Sequence, residues 1–196
     1  MKALAVNGSP RQEGNTALLL STVINRLSGQ GIEVELLSLS GRNLHGCIAC
    51  MGCKNPDNEH PRCIQEDLDD FKGILDKFLA ADIILLGSPV YFGSATPELM
   101  AVLHRVGYAV RGGKKAWLKD KLGAAVVCAR RAGQNFTFAQ LNYFFFINQM
   151  IVPGSSYWNI GFGGPAGSVK NDTEGLSTME TLGDNLASLL KKLKRD

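Results

Sequence analysis

The chain has 196 residues, of which 45% are hydrophobic and 20% are charged, and its net charge at pH 7 is +3. This length and composition are typical of one globular domain, and they exclude a chain that is disordered throughout. The charge is too small to indicate nucleic-acid binding by itself. Since no apolar run approaches the ~20 residues of a membrane helix and no apolar leader is visible, we expect a cytoplasmic protein without nucleic-acid or membrane partners.

Strand-like and helical patterns alternate along the first half of the chain. Residues 3–6 form an apolar run, and Asn15-Thr16 then begins a helical pattern that covers residues 18–27. Residues 32–39 alternate in the manner of a strand. Apolar residues spaced by three and four over residues 68–78 share one helix face, which predicts a second helix.

The second half continues the alternation. Its predicted elements are a strand over 81–87, a helix that begins with Pro97 at its first position, a strand over 122–129, a helix over 134–150, a strand over 150–152 and a helix over 176–193. The central strands are apolar throughout, which favours a parallel sheet covered by helices on both faces.

These elements predict an α/β fold of the flavodoxin-like type, a three-layer sandwich whose five-stranded parallel sheet has the order 2-1-3-4-5. No linker, repeat or low-complexity segment divides the chain. We therefore expect one domain over residues 1–196, with a cysteine-rich loop at residues 45–66.

The turn after the first strand, residues 9–16, has the composition of an anion site; we call it the phosphate turn. Ser9, Asn15 and Thr16 can donate hydrogen bonds to phosphate oxygens, Arg11 adds positive charge, and a helix N-terminus follows. The turn lacks both the Walker lysine and a G-x-G-x-x-G pattern, which favours a monophosphate over a triphosphate or a dinucleotide. The alternative is an ordinary capped turn that carries a surface arginine.

The loop after the third strand, residues 88–93, is suited to a flat aromatic ligand; we call it the ring loop. Pro89 stiffens it, Tyr91 and Phe92 offer aromatic faces, and the N–H groups of Phe92 and Gly93 could meet the polar edge of a ring. The alternative is that the two aromatic side chains only fill a hydrophobic gap.

Four segments in order, residues 6–11, 14–16, 88–93 and 154–159, together resemble the flavodoxin-like NADPH-dependent FMN reductase family. The resemblance runs from the first strand to the closing helix and implies noncovalently bound FMN. It implies that Ser9, Arg11, Asn15 and Thr16 hold the phosphate. The residues implied at the isoalloxazine are Pro89, Val90, Tyr91, Phe92 and Gly93, with Arg130 in a further loop after the fourth strand.

Four of the five cysteines lie close together in the sequence. Cys47, Cys50 and Cys53 are spaced by two residues, and Cys63 follows after nine more, residues 54–62. Such spacing in a reducing compartment is compatible with an iron–sulfur cluster, with ordinary thiols or a redox-active pair, and with zinc. The motif looks like that of the iron–sulfur flavoproteins, a branch of the same family, which implies a [4Fe–4S] cluster that exchanges electrons with FMN.

Three functions are open at this point. The first is an FMN-dependent oxidoreductase that receives electrons through a cluster from a ferredoxin-type protein and passes them to a small-molecule acceptor. The second is an NAD(P)H-dependent FMN or quinone reductase without a cluster, and the third is a non-enzymatic zinc-bound or interaction protein. In the first two, FMN performs the chemistry and no catalytic side chain is required.

Three consecutive phenylalanines, residues 144–146, fall within the predicted helix 134–150. Successive helical side chains point about 100° apart, so the three rings cannot all face one core. We therefore expect at least one to lie at a subunit interface or to form a wall over the flavin of a neighbouring subunit. Relatives of this kind commonly form dimers or tetramers, which favours the interface of a homodimer or homotetramer. The alternative is a helix buried on two sides.

Overall fold

The computed structural model describes residues 1–112 and 115–194. A five-stranded parallel sheet lies at its centre, with the order β2-β1-β3-β4-β5. The strands are β1 (Lys2–Asn7), β2 (Glu33–Ser38), β3 (Ile83–Pro89), β4 (Leu122–Ala129) and β5 (Ile160–Phe162). The predicted flavodoxin-like order is confirmed.

Helices cover both faces of the sheet, as the continuously apolar strands predict. They are α1 (Asn15–Ser28), α2 (Ile74–Ala80), α3 (Pro97–Val110), α4 (Gln134–Ile147) and α5 (Thr173–Leu193). One apolar core lies between the sheet and α1 with α5, and a second lies between the sheet and α2, α3 and α4. None of the helices in the described ranges has the length and apolarity that a membrane span requires.

The fifth strand lies ten residues later than the sequence predicted. Residues 150–152 make only an isolated bridge to β4, in which Gly123 N donates to Ile151 O at 2.9 Å. Pro153 follows and has no N–H to continue a ladder, so the chain leaves the sheet there. It returns at Ile160, which pairs with Val127 near the carboxyl end of β4. The prediction of a strand over 150–152 was therefore wrong.

The second helix is shorter than predicted. Residues 68–73 form turns, and Gly73 has a φ of 75°, so the helix begins only at Ile74. A left-handed residue cannot continue a right-handed helix, which explains why the apolar spacing starts before the helix does. Phe71 still packs into the core from its turn.

The three phenylalanines of α4 divide as expected. Phe144 and Phe145 are buried, whereas 59% of Phe146 is exposed. Tyr143 and Ile147 are also exposed on this helix. One side of α4 thus packs on β4 while the other presents apolar rings to the surface.

Candidate functional site

The phosphate turn joins β1 to α1 and is shaped by its own hydrogen bonds. Asn7 Oδ1 accepts the N–H of Ser9 at 3.0 Å, and Ser9 Oγ accepts the N–H of Arg11 at 3.1 Å. Gly14 N then donates to Arg11 O at 3.2 Å. These contacts hold the turn in a tight curve at the carboxyl end of β1, where an open α/β sheet binds its ligands.

The N-terminus of α1 has no side-chain cap, because its N-cap residue is Gly14. The first N–H groups of a helix lack partners within the helix and carry its positive dipole end. Thr16 is buried at this end, whereas Arg11 is exposed and forms no ion pair with any described residue. An uncapped helix start beside a free guanidinium has the chemistry that a phosphate requires.

Asn15 has a different role from the one the sequence suggested for its side chain. Its Nδ2 donates to Pro165 O at 2.9 Å, and its Oδ1 accepts the N–H of Val169 at 3.3 Å. The amide therefore fastens the loop that follows β5 to the phosphate turn. What Asn15 offers an anion at this position is its backbone N–H at the helix start.

The ring loop ends in a tight turn. Tyr91 and Ser94 exchange two backbone hydrogen bonds of 2.8 and 2.9 Å, and both intervening residues have positive φ, 50° at Phe92 and 79° at Gly93. This pair of left-handed residues is the pattern of a type I′ turn. Phe92 is fully exposed at its tip, and 43% of Tyr91 is exposed.

The loop after β4 packs directly on the ring loop. Gly133 has a φ of 88°, and a Cβ placed there would lie 2.8 Å from Val90 Cγ1 and 3.2 Å from the Cα of Gly93. Only glycine allows this approach. Arg130 is exposed, and its side chain runs beside Gly164 in the loop after β5.

Thr96 joins the two ligand loops and was not predicted as part of the site. It is fully buried, its Oγ1 donates to Gly8 O at 2.7 Å, and its N–H donates to Ser88 Oγ at 3.1 Å. Thr96, the residue before α3, therefore ties Gly8, which precedes the phosphate turn, to Ser88 of the ring loop. Its signal in the sequence was a threonine before Pro97, which we interpreted only as the start of a helix.

The structure thus collects the predicted flavin residues at one edge of the sheet. The phosphate turn, the ring loop and the loop after β4 follow β1, β3 and β4, which are neighbours in the sheet. Two observations fit FMN there: the uncapped start of α1 suits the phosphate, and the exposed rings of the ring loop suit the isoalloxazine.

The four clustered cysteines come together elsewhere, beside α3. Cys47, Cys50, Cys53 and Cys63 line one small pocket, which we call the cysteine pocket. Its other lining residues include no carboxylate and no histidine. Nowhere in residues 1–112 and 115–194 do three His, Cys, Asp or Glu side chains lie close enough to hold a single metal ion. The four cysteines therefore supply the metal-ligating side chains of this pocket.

The fifth cysteine is separate from this pocket. Cys128 lies within β4, and burial raises the pKa of its thiol to about 11, with a further rise from Asp172. Burial also raises the pKa of Cys53, while the neighbouring Lys54 opposes that change. Because metal ligation requires thiolates, loading of the cysteine pocket would release protons.

The cysteine loop is anchored to α3 by two cationic side chains that the sequence analysis did not single out. Lys54 Nζ donates to Tyr108 O and Arg111 O at 2.8 and 2.9 Å, at the carbonyl end of the helix. Arg105 forms a buried ion pair with Asp69 at 2.5 Å. In the sequence, the indication of this anchor was the charged Arg105 among the apolar residues of α3.

Comparison with known proteins agrees with this geometry. Residues 1–164 match the profile of the NADPH-dependent FMN reductase family. An iron–sulfur flavoprotein of Methanocaldococcus jannaschii is 39% identical over the full length of both chains. The chain belongs to the NADPH-dependent FMN reductase family, in its iron–sulfur flavoprotein branch.

Two further similarities extend this finding. An iron–sulfur flavoprotein of Methanosarcina thermophila is 29% identical over 100% of this chain and 98% of its own. The crystal structure of RosB with the intermediate 8-demethyl-8-formylriboflavin-5'-phosphate has a TM-score of 0.76 at 18% identity, covering 100% of this chain and 81% of that one. As a member of its family, this FMN reductase homologue is an FMN-dependent oxidoreductase of the electron-transfer type.

Proposed function

We propose that this FMN reductase homologue binds FMN at the carboxyl edge of its sheet and a [4Fe–4S] cluster in its cysteine pocket, and that electrons pass between the two. The observation that carries the proposal is that Cys47, Cys50, Cys53 and Cys63 line one pocket on the same chain that carries the FMN crevice. The names of the iron–sulfur flavoproteins to which the chain is similar support it.

At the phosphate end, the start of α1 supplies the positive dipole and free N–H groups. Ser9, Thr16 and the backbone of Asn15 lie around the phosphate, and Arg11 adds a full positive charge from the surface. The side chain of Asn15 supports this arrangement indirectly, since it holds the loop after β5 against the turn.

At the ring end, Pro89, Val90, Tyr91, Phe92 and Gly93 present a fixed edge to the isoalloxazine. The type I′ turn leaves the N–H groups of Phe92 and Gly93 at its tip, where they can donate to the polar edge of the ring. Arg130 lies in the adjacent loop, where its charge would favour the reduced, more negative ring.

Bound FMN supplies the redox chemistry, taking up and releasing electrons or hydride. The residues of this chain bind and orient it, and they require no nucleophile or general base. In this proposal the ligand loops position the flavin, and the hydrogen bonds of Thr96 to Gly8 and Ser88 support the proposed role of Thr96 in holding those loops together.

In the cysteine pocket, Cys47, Cys50, Cys53 and Cys63 would each ligate one iron. A [4Fe–4S] cluster takes four thiolates on four different irons, so its ligands surround a volume. A single zinc ion instead requires four ligand atoms about 2.3 Å from one point. Four cysteines that line one pocket, with no carboxylate or histidine among the other lining residues, fit the ligand set of the cluster.

The electron donor is a redox partner or NAD(P)H. With a cluster present, we propose a ferredoxin-type protein as donor and a small molecule as acceptor. The family's NADPH-dependent members favour one alternative, a direct NAD(P)H-dependent reductase in which the pocket cysteines remain thiols.

The exposed face of α4 supports a homodimer or homotetramer. Tyr143, Phe146 and Ile147 are each more than half exposed, and Tyr143 and Ile147 border an apolar groove between α3 and α4. Aromatic rings of this kind are typical of the buried centre of a protein interface.

The decisive experiment is an anaerobic assay of iron, sulfide and flavin on one reconstituted preparation. We expect about four irons and one FMN per chain, and we expect Cys53→Ala to lose the iron but to keep the FMN. Cys128→Ala is the matched control, because that thiol lies in β4 outside the pocket, and it should keep both. Wild-type protein with one FMN and less than one iron per chain would favour the cluster-free reductase.

A further inference from the structure

Arg105 holds both ends of the cysteine loop from one position on α3. Its Nη1 donates to His45 O at 3.3 Å and to Asp69 Oδ2 at 2.5 Å, and its Nη2 donates to Gln65 O at 3.0 Å. His45 and Gln65 each lie two residues outside the outermost cysteines of the motif. One side chain, only 3% of which is exposed, therefore contacts the chain on both sides of the cysteine motif.

The guanidinium is itself fixed from two further directions. Asp69 accepts the N–H of His45 at 2.7 Å and that of Phe71 at 3.1 Å, so the carboxylate cannot turn away from Arg105. The ring of Phe71 covers one face of the guanidinium, with its centroid 3.9 Å from Cζ. Such a cation–π contact is strong when both groups are desolvated.

One donor of this group has no partner among the described residues. Arg105 Nε is buried and makes no hydrogen bond, and Arg105 lines the cysteine pocket together with Cys63. An unsatisfied buried donor is destabilising, and more so on a charged group, so native proteins rarely retain one without a function. Thiolates and sulfides of an iron–sulfur cluster are hydrogen-bond acceptors of the kind that this donor lacks.

The charge on Arg105 is secure. A guanidinium does not deprotonate in proteins, and that of Arg105 is also paired with the Asp69 carboxylate at 2.5 Å. The pocket therefore has a permanent positive charge in its wall. Positive charge and hydrogen bonds to sulfur both favour the reduced state of an iron–sulfur cluster, and hence raise its reduction potential.

We propose that Arg105 is a positioning residue for the cluster: it sets the spacing of the loop's outer cysteines and places a charged N–H donor beside the sulfur of Cys63. The inference rests on the cluster of the proposed function, and it adds the residue that determines the cluster's stability and potential. Lys54 has a different role, because its hydrogen bonds go to carbonyl oxygens at the end of α3.

The test is a redox titration of the cluster, followed by its electron paramagnetic resonance signal, in reconstituted full-length protein. We expect Arg105→Gln to lower the equilibrium constant for reduction of the cluster at least tenfold. For one electron this corresponds to a midpoint potential lower by about 59 mV or more. Arg105→Lys retains the charge but loses the planar fork, so its potential should lie between those of Arg105→Gln and the wild type.

Arg111→Gln is the matched control, because Arg111 lies just after α3, is exposed and does not line the cysteine pocket. It should leave the potential unchanged. Bound FMN reports folding in every variant. If Arg105→Gln does not fold, because Asp69 is left buried without its partner, the double variant Arg105→Gln/Asp69→Asn removes both charges and is titrated instead.

The outcomes separate this inference from the function on which it rests. A wild-type protein that binds no iron overturns the cluster and the role of Arg105 together. A variant without Arg105 that holds four irons at the wild-type potential overturns the role of Arg105 and leaves the cluster intact. Loss of iron with retention of FMN in Arg105→Gln, recovered in Arg105→Lys, supports the fastening of the loop.

Discussion

Thr16 lies at the uncapped start of α1, and 1% of it is exposed. We expect Thr16→Val to weaken FMN binding about ten- to hundredfold, because a hydrogen bond to a charged phosphate contributes about 1.5–3 kcal/mol. Riboflavin lacks the phosphate, so its affinity should change much less. Fluorescence titration of both flavins measures the difference.

Thr22→Val is the control for that change. Thr22 lies on the same helix two turns further on, and its Oγ1 donates to Leu18 O at 3.2 Å. Both flavins should bind to Thr22→Val as they bind to the wild type. Equal weakening of FMN and riboflavin by Thr16→Val would contradict the placement of the phosphate at this turn.

Asp69 makes stability depend on pH at the acid end of the range. Burial by itself would raise the pKa of its carboxyl, but hydrogen bonds from Arg105, His45 and Phe71 hold that pKa below its ordinary value. The ion pair therefore stabilises the fold above the unfolded pKa, about 3.9. This stabilisation is lost as the pH falls through the native pKa.

We accordingly expect Asp69→Asn to lower the free energy of unfolding by about 3–5 kcal/mol at pH 7, since it leaves Arg105 buried without a partner. The difference in the free energy of unfolding between this variant and the wild type should narrow as the pH falls below about 4, where the carboxyl in the unfolded chain takes up protons, and further as the pH passes through the lowered native pKa of Asp69. Urea unfolding over a pH series measures both effects. Asp184→Asn is the comparison, because the Asp184–Arg26 pair is exposed and should contribute at most about 1 kcal/mol. A stability difference between Asp69→Asn and the wild type that stays constant with pH would contradict a stabilising Asp69–Arg105 ion pair.

The turn at the tip of the ring loop restricts which residue types it can contain, because Phe92 and Gly93 both have a positive φ. Gly93 has a φ of 79°, and a side chain there costs about 1–2 kcal/mol. We expect Gly93→Ala to lower the free energy of unfolding by that amount and to weaken FMN binding, because the tip of the turn moves. Urea unfolding and flavin titration measure the two effects.

Gly154→Ala is the matched substitution, since Gly154 has open space around it and no left-handed φ. It should leave flavin binding unchanged and raise the free energy of unfolding slightly, by at most about 1 kcal/mol. A Gly93→Ala protein with wild-type stability and affinity would show that the turn is free to adopt another shape.

The elements differ in how far the sequence predicts them, and burial explains the difference. β3 and β4 are almost entirely buried, so apolar runs located both strands to within two residues. β5 has only three residues at the sheet edge, two of them glycine or exposed, so it leaves little pattern. The apolar residues 150–152 resemble a strand more strongly in sequence, but they make only an isolated bridge to β4.

For the molecule as a whole, the apolar side of α4 leads to a prediction about assembly. We expect the wild-type protein to sediment as a homodimer or homotetramer and Phe146→Glu to shift it to a smaller species, because a charge would be buried at the interface centre. Leu68→Glu, an equally exposed apolar residue in the turns before α2, should leave assembly unchanged. Sedimentation velocity distinguishes these outcomes, and a wild-type monomer would contradict the proposed interface.

The candidate site was predictable where it follows from topology. Loops after β1, β3 and β4 must meet at one edge of a parallel sheet, so Ser9, Tyr91 and Arg130 could be placed from their positions in the chain. Contacts between residues that lie far apart in the sequence could not be predicted. Nothing local to Arg105 indicates that it joins residues 36 to 60 positions away, because such pairing depends on how the loop lies across α3.

Thr96, which is bonded to both flavin loops, lies just before helix α3, and Lys54 donates to the carbonyls of Tyr108 and Arg111 at the other end of the helix. Its 14 residues make a rod of about 21 Å. The segment between Cys53 and Cys63 begins at Lys54, at the far end of this helix, so we expect a change in its length to leave the geometry of the flavin crevice unaltered.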